Sequence, residues 1–168
     1  MLEIVPLTAS HAKAYRDLRL RALREHPEAF TSSYEEEEAQ PLAVAQERLA
    51  SGQTSFWGAF RGSELCGMVG LVRESRPKNR HKATVVAMYV APEARGQAAG
   101  DRLLQALLAQ ARREGLASLV LTVTQGNATA GRLYETAGFR SFGLEPRAVR
   151  VDGRFLAKNH MVLELDPA

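Results

Sequence analysis

The stretch TVVAMYVAPEARGQAAG, Thr84 to Gly100, decides the fold. Its first seven residues, Thr84 to Val90, are almost wholly apolar, as expected of a strand buried on both faces. The remainder is small and turn-prone, with Pro92, Gly96 and Gly100 set among alanines. Asp101 to Glu114 then carries Leu103, Leu104, Leu107, Leu108 and Ala111 at helical spacing, with Gly115 where the helix ends. Leu119 to Thr124 is a second buried strand. Strand, helix and strand in this order imply a right-handed crossover and two parallel strands, with a ligand crevice at their carboxyl ends. Small residues at the joint let backbone N–H groups approach a ligand, and a helix start adds unpaired N–H groups and partial positive charge. Taken alone, the segment fits a phosphate site and a tight strand-to-helix turn equally. It is neither a dinucleotide fingerprint nor a P-loop, since no G-x-G-x-x-G follows the first strand and no G-K-[ST] occurs.

Upstream, Leu2 to Leu7 reads as a short strand, and Ser10 is placed to cap a helix running to about Glu25. Pro41 opens a further helix through Leu49, and between the two lies a loop with Phe30, Tyr34 and the four glutamates Glu35 to Glu38. Ser55 to Arg61 and Leu65 to Glu74 form a hairpin turned at Gly62-Ser63. Downstream, NATAGRLYETAGF, Asn127 to Phe139, holds a helix capped by Asn127, carrying Leu133 and Tyr134, and stopped by Gly138. Phe139 onward reads as two strands with a turn at Asp152-Gly153. The expected architecture is therefore α/β: a mixed, mostly antiparallel sheet with a parallel central pair and helices on both faces.

The two segments VAPEARGQAAG, at Val90 to Gly100, and NATAGRLYETAGF each follow a buried strand. Together, at this spacing, they resemble the GNAT superfamily of acyl-CoA-dependent N-acetyltransferases, and the resemblance extends over nearly the whole chain. It implies that Arg95, Gly96, Gln97, Ala98, Ala99 and Gly100, with the first turn of the following helix, hold the pyrophosphate of acetyl-CoA through backbone N–H groups. It implies that the backbone at Met88, Tyr89 and Val90 pairs with the pantetheine arm, that Asn127 helps position that arm, and that Tyr134 acts as proton donor to the leaving thiolate. Two positions depart from the family pattern: Ala98 stands where glycine is usual, and Asp101 where a basic or small polar residue is frequent. A Cβ at residue 98 is harmless at negative φ and costly at positive φ.

The implied reaction is direct attack of a neutral primary amine on the acetyl thioester. Freeing a lysine-like amine of its proton at pH 7 costs roughly 4–5 kcal/mol, but an α-amine only about 1 kcal/mol. The strand Thr84 to Val90 has no acid where many relatives carry a glutamate. Candidate bases are Glu74, His81, His160 and the glutamates Glu35 to Glu38, which also read as an acidic lip attracting a cationic amine. Each also reads as a solvated or merely structural residue.

Length and composition bound the remainder. At 168 residues the chain is expected to form one domain, residues 1–168. The single cysteine, Cys66, excludes a disulfide framework or a cysteine-based metal cluster, and no metal is expected. No apolar run approaches a membrane span and no leader is read, so a cytoplasmic protein is expected. The basic cluster Arg73, Arg76, Lys78, Arg80 and Lys82 lacks the aromatics or motif of a nucleic-acid site and reads as a solvated loop. A small-molecule or amino-acid amine is the expected acceptor, and a homodimer is compatible. The alternative is a non-catalytic acyl-CoA-binding or sensing module on the same fold.

Overall fold

The computed structural model describes residues 1–166; residues 167 and 168, the last two of the expected domain, lie outside the described residues. Seven strands form one sheet: β1 (Leu2–Pro6), β2 (Thr54–Arg61), β3 (Glu64–Arg73), β4 (Lys82–Val90), β5 (Ser118–Thr124), β6 (Arg140–Val151) and β7 (Arg154–Glu164). Their spatial order is β1-β2-β3-β4-β5-β7-β6, and every neighbouring pair is antiparallel except β4 and β5. Among the described residues five α-helices accompany them: α1 (Ala12–Glu25), α2 (Tyr34–Glu38), α3 (Leu42–Ala50), α4 (Ala99–Arg113) and α5 (Ala128–Thr136). The mixed sheet with one parallel pair is the architecture the sequence implies.

Two glycines show how the layers are arranged. A Cβ on Gly67 would lie 3.2 Å from Leu103 of α4. Three residues along β3, a Cβ on Gly70 would lie 2.5 Å from Phe56, whose ring packs edge-on against Tyr15 of α1. An odd separation along a strand changes the face, so α4 and α1 cover opposite faces of the sheet. Helix α4 turns Leu103, Leu104, Leu107 and Leu108 fully inward, which anchors the crossover between β4 and β5. Cys66 is also fully buried, and its Sγ donates to the carbonyl of Ala59. Among the described residues no helix is long and apolar enough to cross a membrane.

Local chemistry moves some boundaries. The chain entering α1 makes a 3-10 turn at Ala9–His11, opened by Thr8, whose N–H donates to His11 Nδ1 at 2.9 Å. Ser10 lies inside that turn and bonds the Thr8 hydroxyl rather than capping a helix. The glutamate run forms α2 because Ser33 and Glu36 close a capping box: Glu36 N–H donates to Ser33 Oγ, and Ser33 N–H to Glu36 Oε2. Asp152 and Gly153 turn the last hairpin with positive φ at both, as the sequence reading has it.

Candidate active site

The site begins where the parallel pair comes apart. Strands β4 and β5 are paired only from Lys82–Ser118 to Thr84–Val120. Beyond that, β4 carries a bulge against β3: Gly70 faces Val86 and Met68 faces Tyr89, so Ala87 and Met88 together oppose Val69. Ala87 sits at the bulge with φ of 60°. The bend leaves a cleft of about 660 Å³ between the strands. Thr84 to Met88 line one side and Val120 to Thr124 the other, with Asn127, Ala130 and Tyr134 also on the wall. This explains a departure from the sequence reading: Thr84, Val86, Ala87 and Met88 are only part-buried, because they face the cleft rather than a second packed layer.

Tyr134 is nearly buried on α5, with its ring edge-on to Phe139 at 5.8 Å. Burial pushes its hydroxyl well above the ordinary tyrosine range, so it keeps its proton. That hydroxyl has no protein hydrogen-bond partner among the described residues, yet it is not sealed from solvent. Asn127 caps α5 through Oδ1, which accepts from Ala130 N–H at 3.3 Å, and it also borders the cleft.

The expected pyrophosphate loop lies at the N-terminus of α4. Arg95, Gly96 and Gln97 are exposed, and Gly96 has φ of 81°. Ala98 takes the left-handed conformation, with φ of 57°, as the residue preceding the helix. The first bond into the helix is from Arg102 N–H to Ala98 C=O, at 2.9 Å. Among the described residues, the N–H groups from Gly96 to Asp101 therefore have no protein acceptor, a row of free donors suited to an anion. Ala99 is buried, so only its backbone is available there, and the Asp101 side chain stands exposed in the first turn.

The three residues of β4 expected to meet the cofactor behave differently. Met88 lines the cleft. Val90 pairs with Gly67 on β3. Tyr89 turns its ring into the core, where its hydroxyl donates to Glu25 at 2.7 Å. Burial and that bond push the hydroxyl up to about 12.

Of the candidate bases, only His160 lines the cleft; its Nε2 lies 2.8 Å from Glu145 Oε1. Glu74 and His81 are exposed residues outside the lining. No glutamate of the run Glu35 to Glu38, read as an acidic lip, lines the cleft. Glu37 is turned inward and bound by Arg19 Nε at 2.7 and 2.8 Å, with Arg48 Nη1 at 3.8 Å. Glu36 is consumed by its capping box. Arg19, Arg48 and Lys158 instead line the cleft, and sequence reasoning missed all three. A signal was present: Arg19 follows Tyr15 by four residues and Arg48 follows Ala45 by three, which puts each charge beside its helix's inward stripe.

Among the described residues, then, the sheet parts at its one parallel pair, and a row of unpaired amides opens the helix that follows. Comparison with known proteins gives the family. Residues 18–139 match the model of the acetyltransferase (GNAT) family, and the chain belongs to it. It is 38% identical to an L-methionine sulfoximine/L-methionine sulfone acetyltransferase of Pseudomonas aeruginosa over 93 residues, 55% of this chain and 54% of that protein. It is 34% identical to the N-alpha-acetyltransferase RimI of Mycobacterium tuberculosis over 67% of this chain and 69% of that one. The chain thus spans about half the length of the curated relatives it matches first. Among solved structures, yncA of Salmonella typhimurium, determined with its cofactor acetyl-CoA, superposes with a TM-score of 0.82 at 23% identity, covering 99% of this chain and 95% of that one.

Proposed function

We propose that this protein transfers the acetyl group of acetyl-CoA to the primary amine of a small molecule or amino acid. The observation that carries the reading is the parting of β4 from β5, with the partnerless Tyr134 hydroxyl opening onto the gap. Family membership and relatives named for small amine acceptors support it.

The residues present suit the ligand. The free N–H groups from Gly96 to Asp101 would hold the pyrophosphate, with Arg95 beside them. The backbone at Met88 to Val90 would run along the pantetheine arm and polarise the thioester carbonyl through N–H donation, and Asn127 would border the arm. Bound acetyl-CoA supplies the thioester carbonyl that the amine attacks and the sulfur that leaves. Tyr134, kept protonated because burial disfavours the phenolate, gives its proton to that sulfur as the C–S bond breaks, and the proton shed by the attacking nitrogen as the C–N bond forms restores the phenol. The cations lining the cleft favour the neutral form of the incoming amine over the ammonium, which lowers the demand for a strong base.

The test is a Tyr134→Phe variant. We expect acetyl transfer, read as thiol release, to fall by about 10–10³-fold with acetyl-CoA affinity changed by less than about twofold. Unchanged turnover would remove Tyr134 from the mechanism. No acetyl-CoA binding to the wild-type protein in calorimetry would remove the whole reading.

A further inference from the structure

Resting on the acetyltransferase reading, we propose that the acceptor amine carries an anionic group, a carboxylate or an acid of like charge, which docks on Arg19 and Arg48. These two side chains come from different helices, α1 and α3, and both reach the cleft. Glu37 lies behind them and fixes Arg19 through Nε, leaving both Nη atoms of that guanidinium without a protein partner among the described residues. Arg19 is further held against the face of Phe30, 5.7 Å from the ring centre. Arg48 is steadied by the Tyr15 hydroxyl at 3.2 Å, and its backbone carbonyl accepts from Thr54 Oγ1 at 2.6 Å. Two guanidinium groups therefore share one carboxylate, and one positive charge is left over.

Lys158 adds another charge to the lining, its Nζ donating only to Thr31 Oγ1 at 2.8 Å. Among the described residues no Asp or Glu lines the cleft. A simple alkylammonium or a polycationic peptide would meet only like charge there. A zwitterionic amine would instead meet Arg19 and Arg48 on the same lining, and a guanidinium offers a planar fork of donors suited to a two-oxygen acid. Its amine would be left directed toward the parted strands.

The experiment compares matched acceptors: free L-amino acids against their carboxamides, assayed for thiol release with wild-type protein. We expect kcat/KM for the best amino acid to exceed that of its amide by about 10–100-fold, the scale of one or two charge-assisted hydrogen bonds. In Arg48→Gln, and in Arg19→Gln where it folds, the acid-to-amide ratio should collapse toward unity, whereas a purely structural role would lower both rates together. Retained acetyl-CoA binding reports an intact fold in each variant. Equal or faster transfer to the amides, or a ratio above about tenfold surviving in both variants, overturns the anion site and leaves the acetyltransferase reading standing. Acetyl-CoA binding without transfer to any acceptor overturns both.

Discussion

Arg21 of α1 grips Glu93 with both Nη atoms, at 2.6 and 2.9 Å, tying the segment that leads into α4 to the first long helix. The same arginine donates through Nε to Glu25 at 3.0 Å, and Glu25 accepts the Tyr89 hydroxyl. The loop with the free amides is thus braced from the opposite face of the sheet. Arg21 pulls the Glu93 carboxyl from 4.5 to about 2. Because the folded value is the lower one, the pair stabilises fully above about pH 4.5 and is lost as pH falls toward 2. Thermal melts of wild type and Glu93→Gln should differ most above about pH 4.5 and converge below it; a gap independent of pH would show that the pair contributes nothing.

Ala98 occupies a left-handed conformation that glycine adopts freely, and it is exposed. Ala98→Gly should therefore raise stability by about 0.5–1 kcal/mol, or roughly 1–4 °C in Tm, after the larger unfolded-state entropy of glycine is counted. Acetyl-CoA affinity should stay level or rise. A lower Tm would mean that the positive φ carries no strain.

Asp101 places a carboxylate in the first turn of α4, where it interacts well with the helix dipole but would oppose a pyrophosphate bound there. Asp101→Asn should tighten acetyl-CoA binding by about two- to fivefold at low salt, with the gain shrinking near 0.5 M salt as screening grows. Calorimetry at two ionic strengths reads this directly. A salt-independent change would place the effect elsewhere than in charge.

Burial keeps Tyr134 protonated beyond the usual tyrosine range, so its titration should not limit the rate from above. The profile of kcat against pH should rise as the amine loses its proton and then stay flat to about pH 10. A falling limb centred near pH 8 to 9 would require a different acid.

The parallel pair, its crossover helix and the capped α5 were legible because each depends on neighbours in sequence: apolar runs, leucine spacing, Asn127 and Gly138 at helix ends. Position 98 could be marked as a departure from pattern, but the sign of its φ is a property of the folded loop. Nothing in the run from Thr84 to Val90 signals the bulge, since alanine at residue 87 has no preference for positive φ. The cationic lining of the cleft is illegible in the sequence for the same kind of reason. Glu37 looks solvated within a glutamate run, and only tertiary packing brings Arg19 to it from 18 residues away. The one local clue, Ser33 three residues ahead of Glu36, would have turned the loop into α2 and rotated Glu37 inward.

Cys66 has a practical consequence. Its thiol is wholly enclosed, and burial pushes it away from the reactive thiolate. In the native protein an aromatic disulfide reagent would meet only the thiol released in turnover, so a colour assay needs no correction for the enzyme itself. Reaction at Cys66 would then begin only when the sheet opens, and its rate in the absence of substrate would serve as a clock for unfolding events under native conditions.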